Sequence, residues 1–219
     1  MSLNRQHSFW GSLSPLGGLT GAGLLIMGSG RLSWAITVSI GLFWVYGFTT
    51  LAYVFLYSPM VKKIMPVKGK RFLFISLASF WGSLYIFMFW LISPFAALEV
   101  FILLLLVPLF FTDSGIVERI SSSQDSNHDI FEYVPETFSQ AGVLAGLMIA
   151  MSIIREPFAY CSLSFPGSSQ GMVIIMYFTE SSFLPIRIFA SSSGALILFG
   201  YLICLYQYSK KIIFPGDNS

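Results

Sequence analysis

Thirty consecutive residues, Leu32 to Val61, carry no charge. A helix needs only about 20 apolar residues to cross a bilayer, so this run is long enough to span with residues to spare. It predicts a helix over 34–56, which Ser58-Pro59 closes. The rest of the chain repeats the pattern. Of 219 residues 55% are hydrophobic and only 10% charged, and the mean hydropathy is +0.76. Soluble domains carry roughly 25% charged residues, so the composition points to one helical membrane domain.

Punctuation divides the remaining apolar sequence. Phe9 to Gly28 holds Ser14-Pro15 and the glycines 17, 18, 21 and 23, residues that weaken a uniform helix. It reads either as a glycine-rich packing helix or as a broken helix whose freed backbone groups line an internal site. Arg31 separates it from the second helix. The third element is 72–92, which Ser93-Pro94 breaks, and the fourth is 95–111, with Pro108 predicting a kink or an early end. Thr112 to Ser139 is the one sustained polar segment. A fifth element, 140–155, carries Gly142 and Gly146 on one helix face and ends at Arg155-Glu156, with Pro157 halting or kinking it. Tyr160 to Gly171 is expected to be a turn segment, Met172 to Phe178 is too short to span, and the last element is 186–208. The predicted elements are thus 9–28, 34–56, 72–92, 95–111, 140–155 and 186–208. They predict an all-α polytopic membrane protein with six transmembrane helices, in which the first and fourth are candidates for broken helices.

Charge orients such a bundle. Arg5, Lys62, Lys63, Lys68, Lys70, Arg71, Arg119, Lys210 and Lys211 fall on the side of both termini, and Arg31, Arg155 and Arg187 on the other. The positive-inside rule then puts both termini in the cytoplasm. Met1 to His7 reads as a short tail rather than a cleaved signal.

Few residues are positioned for chemistry. His128 lies between Asp125 and Asp129 with no second histidine nearby, which is loop polarity more than a metal site. No nucleophile–base pair or phosphate loop stands out, and the small net charge of +2 gives no support to nucleic-acid binding. Cys161 and Cys204 fit no CxxC spacing, and Cys204 is expected to be a small buried hydrophobe. The polar groups that remain in or beside apolar runs are Glu99, Arg155, Glu156 and Arg187. Charges there are costly unless they find partners, a headgroup or an aqueous cavity, so these four are the candidate polar or ion-path residues.

Two stretches, Ile154-Arg155-Glu156-Pro157-Phe158-Ala159-Tyr160-Cys161-Ser162-Leu163 and Pro185-Ile186-Arg187-Ile188-Phe189-Ala190-Ser191-Ser192-Ser193-Gly194-Ala195, resemble segments of the Rnf/Nqr family. These are the six-helix membrane subunits of the Rnf electron-transport complex and of the sodium-pumping NADH:quinone oxidoreductase. The glycine-rich first element, Arg31 and the long second helix fit the same layout. The resemblance implies an inverted-repeat arrangement in the bacterial inner membrane. Its implied partners are other membrane subunits of an electron-transport complex, including a paralogous six-helix subunit, with flavin and iron–sulfur clusters carried by partner subunits. Family members hold a cluster through cysteines on their first and fourth helices. The corresponding stretches here, Pro15 to Gly21 and Leu105 to Asp113, contain none. The resemblance therefore implies a divergent subunit with a structural or ion-path role and no cofactor of its own. A small secondary transporter and an accessory or assembly membrane protein remain the alternatives.

Overall fold

The computed structural model describes residues 15–56, 67–113, 133–167, 171–177 and 186–213. Within these residues six α-helices follow one another as α1 (Pro15–Gly28), α2 (Leu32–Leu56), α3 (Val67–Ile92), α4 (Pro94–Asp113), α5 (Tyr133–Tyr160) and α6 (Ser192–Ile213). Between α5 and α6 lie strands β1 (Ser162–Pro166) and β2 (Met172–Tyr177) and a 3-10 turn, Arg187–Ala190. Four helical stretches are long and apolar enough to cross a membrane: Leu32–Tyr53, Phe72–Ile92, Pro94–Phe111 and Thr137–Tyr160. Among the described residues, four of the six expected spans qualify by length and composition. Helix α1 has 14 described residues, roughly 20 Å at the usual rise per residue, against about 30 Å of hydrocarbon. In α6 the apolar part is confined to Ser192–Leu205.

Helix α2 is the hub. It packs most extensively on α5 and also touches α1, α3, α4 and β1. Its core-facing side chains, Leu42, Tyr46 and Tyr53 among them, are fully buried with Phe74, Phe111, Leu144 and Met148. Rings mesh between these helices: Tyr53 stacks on Phe74 at 3.8 Å between centroids, and Tyr46 meets Phe111 edge-on at 4.7 Å. Three hydroxyls within this apolar helix are satisfied locally. Thr37, Ser39 and Thr50 each donate to the carbonyl four residues earlier, at 2.8, 2.6 and 2.7 Å, which lets polar side chains sit in a dry interior.

Several sequence expectations are corrected. The first and fourth helices are unbroken over their described lengths, and α4 runs through Pro108. The proline ring is accommodated by Gly82 of α3, where a Cβ would lie 2.6 Å from Pro108 Cγ. In α1 the packing reading holds at Gly21, since a Cβ there would come within 2.7 Å of the Phe110 ring. Helix α5 continues past Arg155-Glu156 and past Pro157 to Tyr160. A proline in the last turn forfeits one backbone bond and leaves the helix able to finish. The helix stops at Cys161, whose φ of 49° is left-handed and whose N–H donates to the Pro157 carbonyl at 2.9 Å.

The polar segment ends sooner than expected, because Tyr133 to Ser139 already belong to α5. Lys68, Lys70 and Arg71, expected in a loop, lie on the backbone of α3. Among the described residues a Cβ on Gly142 would meet only Phe43, at 3.8 Å, and one on Gly146 nothing within 4 Å, so this glycine pair is not a packing seam there. Cys204 is exposed, not buried. The all-α expectation gives way to a two-stranded antiparallel sheet, in which β1 pairs with β2 from Ser162↔Tyr177 to Pro166↔Met172. His128, Asp125 and Asp129 lie outside the described residues.

Candidate functional site

The α1–α2 turn, the α3–α4 junction, the hairpin and the start of α6 gather at one end of the bundle, here termed the capped end. Helix α1 finishes there and α2 starts three residues later, so the carbonyls of one helix terminus lie beside the amides of another. Those termini carry opposite partial charges and unpaired backbone groups. Arg155 and Glu156, on the last turns of α5, answer both.

Arg155 is buried, with 4% of its surface exposed. A guanidinium has five N–H donors, and five contacts receive them. Nε donates to the Phe189 carbonyl at 2.5 Å. Nη1 donates to the Ile26 carbonyl at 2.7 Å and to Ser29 Oγ at 3.3 Å. Nη2 donates to the carbonyls of Ala190 and Ser191 at 3.0 and 3.1 Å. The cation thus sits at the carbonyl end of α1, where the helix dipole favours it, and binds the backbone that leads from the 3-10 turn into α6. Ser191 completes that entry: its Oγ accepts the Gly194 N–H at 3.3 Å, an N-cap for α6.

Glu156 is 1% exposed, and its Oε2 accepts the Leu32 N–H at 2.8 Å. A carboxylate at the first amide of α2 meets the positive end of that helix. The neighbouring charges of α5 therefore serve two different helix ends, each with the matching sign. The site built around them is a tie joining α1, α2, α5 and α6.

A second cluster lies on the rim. Arg31, half-buried, donates from Nη1 to Met172 Sδ at 2.8 Å and lies over the rings of Tyr160 and Trp34, at 4.9 and 5.9 Å from their centroids. Trp34 donates its indole N–H to Glu99 Oε2 at 3.0 Å. Glu99 is exposed on the second turn of α4. Beside it a cavity of about 10 Å³ is lined by Ser33, Thr37, Glu99, Pro166, Gly171 and Met172 among others, room for about one water molecule.

Of the four candidate residues, Arg155 and Glu156 share one node. The 3-10 turn opened by Arg187 supplies carbonyls to it, and Glu99 belongs to the rim cluster. The sequence reading did not single out Trp34, Tyr160 or Ser29. The spacing of Arg31 and Trp34, three apart across a helix start, is the signal that could have paired them. Among the described residues no group of three or more His, Cys, Asp or Glu side chains could hold a metal ion. Comparison of the chain with protein-family models, with curated proteins and with solved structures returns no match.

Proposed function

We propose that this chain, a mostly helical protein with membrane-spanning-type helices, is a non-catalytic integral-membrane subunit of an ion-translocating electron-transport assembly of the Rnf/Nqr kind. The observation that carries this reading is the buried Arg155–Glu156 node. It lies in the part of the sequence, residues 154–195, on which the resemblance rests, and it is built to hold helices together. In this reading Arg155, Glu156 and the turn at Arg187 keep the bundle in one arrangement. Glu99, exposed and beside a small cavity, is the carboxylate offered to a passing cation. Flavin and iron–sulfur groups belong to partner subunits, one of them a paralogous six-helix chain. The capped end faces away from the cytoplasm of a bacterial inner membrane, since nine of the twelve Lys and Arg residues are assigned to the other side.

Over their described residues α1 and α4 are continuous, which lends no support to the broken-helix ground for a small transporter. An accessory or assembly role is the second reading, favoured by the occupation of every Arg155 donor within this chain. Purification in mild detergent, with partner identification and iron analysis, tests the proposal. Co-purifying subunits that carry flavin and iron–sulfur clusters are the expected result. Stoichiometric iron on the isolated chain would overturn the non-catalytic assignment, and a chain that purifies without redox partners would favour the accessory role.

A further inference from the structure

The β1–β2 hairpin is inside out. On β1 the side chains facing the bundle are Ser162 and Ser164, both buried, and Ser164 Oγ donates to Ser33 Oγ at 3.3 Å. The opposite face is apolar. Phe165, registered across from Val173, and Met176, across from Leu163, are exposed together with Val173, and Ile175 is exposed at the bulge that shifts the register between Leu163 and Ser164. An antiparallel sheet with one face in water ordinarily shows the reverse, apolar inward and polar outward. Exposed edge strands are also commonly protected by charge, yet no charged residue occurs from Pro157 to Thr179.

The surroundings indicate what covers this face. Gly171, at φ 82°, packs against Phe95 and Ala96 at the start of α4. Phe95, Leu98 and Ile102 are exposed on α4 within a stretch long and apolar enough to cross a membrane. The outer face of the hairpin therefore continues a surface that meets lipid. Arg31 stacked between Trp34 and Tyr160 lies at the same level, the combination of aromatic ring and cation that favours a headgroup region. Depth is limited by the backbone. A two-stranded sheet has open edges, which hydrocarbon does not tolerate but hydrated headgroups satisfy.

We propose that the β1–β2 hairpin is a membrane-interface anchor, its apolar face seated in lipid at the headgroup–acyl boundary of the leaflet at the capped end. Pro166, Gly171 and Met172 also line the cavity beside Glu99, so the anchored hairpin forms one wall of that cavity. The inference requires the bundle to lie in a bilayer and is independent of any electron-transport assembly.

The test uses the full chain with Cys161→Gly and Cys204→Ser, a nitroxide label on Ile175→Cys, and phosphatidylcholine vesicles. Electron paramagnetic resonance power saturation then compares collisions with dissolved oxygen and with a water-soluble nickel chelate. A lipid-seated label is relaxed strongly by oxygen and several-fold less by nickel than the free label is, with the same sign as a label on Ile102→Cys of α4. Nickel access equal to that of the free label would mean a face in water and would overturn the proposal. Low access to both reagents would mean a face packed on protein and would overturn it equally. A label on Val173→Cys, on the same outer face, repeats the measurement if the first variant does not fold.

Discussion

Arg155 and Arg31 stand at the same end of the bundle and hold different kinds of partner. Arg155 is buried, and its five hydrogen bonds go to four backbone carbonyls and one serine hydroxyl. Arg31 is half-buried and rests on two aromatic rings and a thioether sulfur. The carboxylates divide in the same way, Glu156 on a helix amide and Glu99 on an indole at the surface. Backbone groups in a dry interior have no alternative acceptor or donor, whereas rings and a surface carboxylate keep access to water or headgroups. The buried pair is therefore bound to the integrity of the fold, and the rim pair is free to change partners.

The comparison can be broken most directly at Arg155. Arg155→Leu takes the guanidinium donors from four carbonyls, of which Ser191 keeps the Ala195 N–H and Ile26 keeps Ser29 Oγ, and is expected to remove about 3–5 kcal/mol of stability. The readout is loss of the monodisperse folded chain in detergent and of its thermal transition. Arg155→Lys should recover only part of this, because an ammonium has three donors and no planar fork. An unchanged transition for Arg155→Leu would place the two arginines in one class.

Glu156→Ala is the next largest step, about 1–2 kcal/mol for a lost helix-terminal acceptor, read as a lowered midpoint in the same thermal measurement. Glu156→Gln should lose less than about 1 kcal/mol, since the amide oxygen still accepts from Leu32 and only the charge on the helix end is gone. Cys161 sits between the two neighbourhoods and ends α5 in a left-handed conformation. Cys161→Gly is expected to raise the midpoint slightly, by under about 1 kcal/mol, because relief of the Cβ strain outweighs the greater freedom of the unfolded chain. At the bottom of the scale, Glu99→Gln should move stability by no more than about 0.5 kcal/mol. If ion flux or partner binding nonetheless falls in that variant, the rim cluster is functional and the contrast is sharpened.

The sequence made the helices legible because long apolar runs with at most an isolated charge have few other solutions. Ser93-Pro94 was also readable, and the junction falls there, with Ala97 N–H bonded to the Ser93 carbonyl at 2.9 Å. Pro157 misled because its effect depends on position: the same residue that breaks a helix interior is tolerated in a last turn. The hairpin was hidden for another reason. Ser162-Leu163-Ser164-Phe165 does alternate with period two, but its short length beside long apolar helices makes the pattern easy to absorb into a turn. The node at Arg155 and Glu156 was legible as a cost. Its solution was not, since the groups that satisfy it come from Ile26, Ser29, Leu32 and residues 189–191, far apart in the chain.

That spread in sequence sets an order on biosynthesis. When α5 leaves the ribosome, Ile26 and Ser29 have already been made, but the acceptors for Nε and Nη2 lie more than thirty residues ahead. Until residues 189–191 arrive, the guanidinium has acceptors in the finished chain for only its Nη1 donors. Arrival of the 3-10 turn and Ser191 is thus the step that lets the guanidinium settle, and a chain cut before Phe189 would retain an ill-matched cation in its fifth helix.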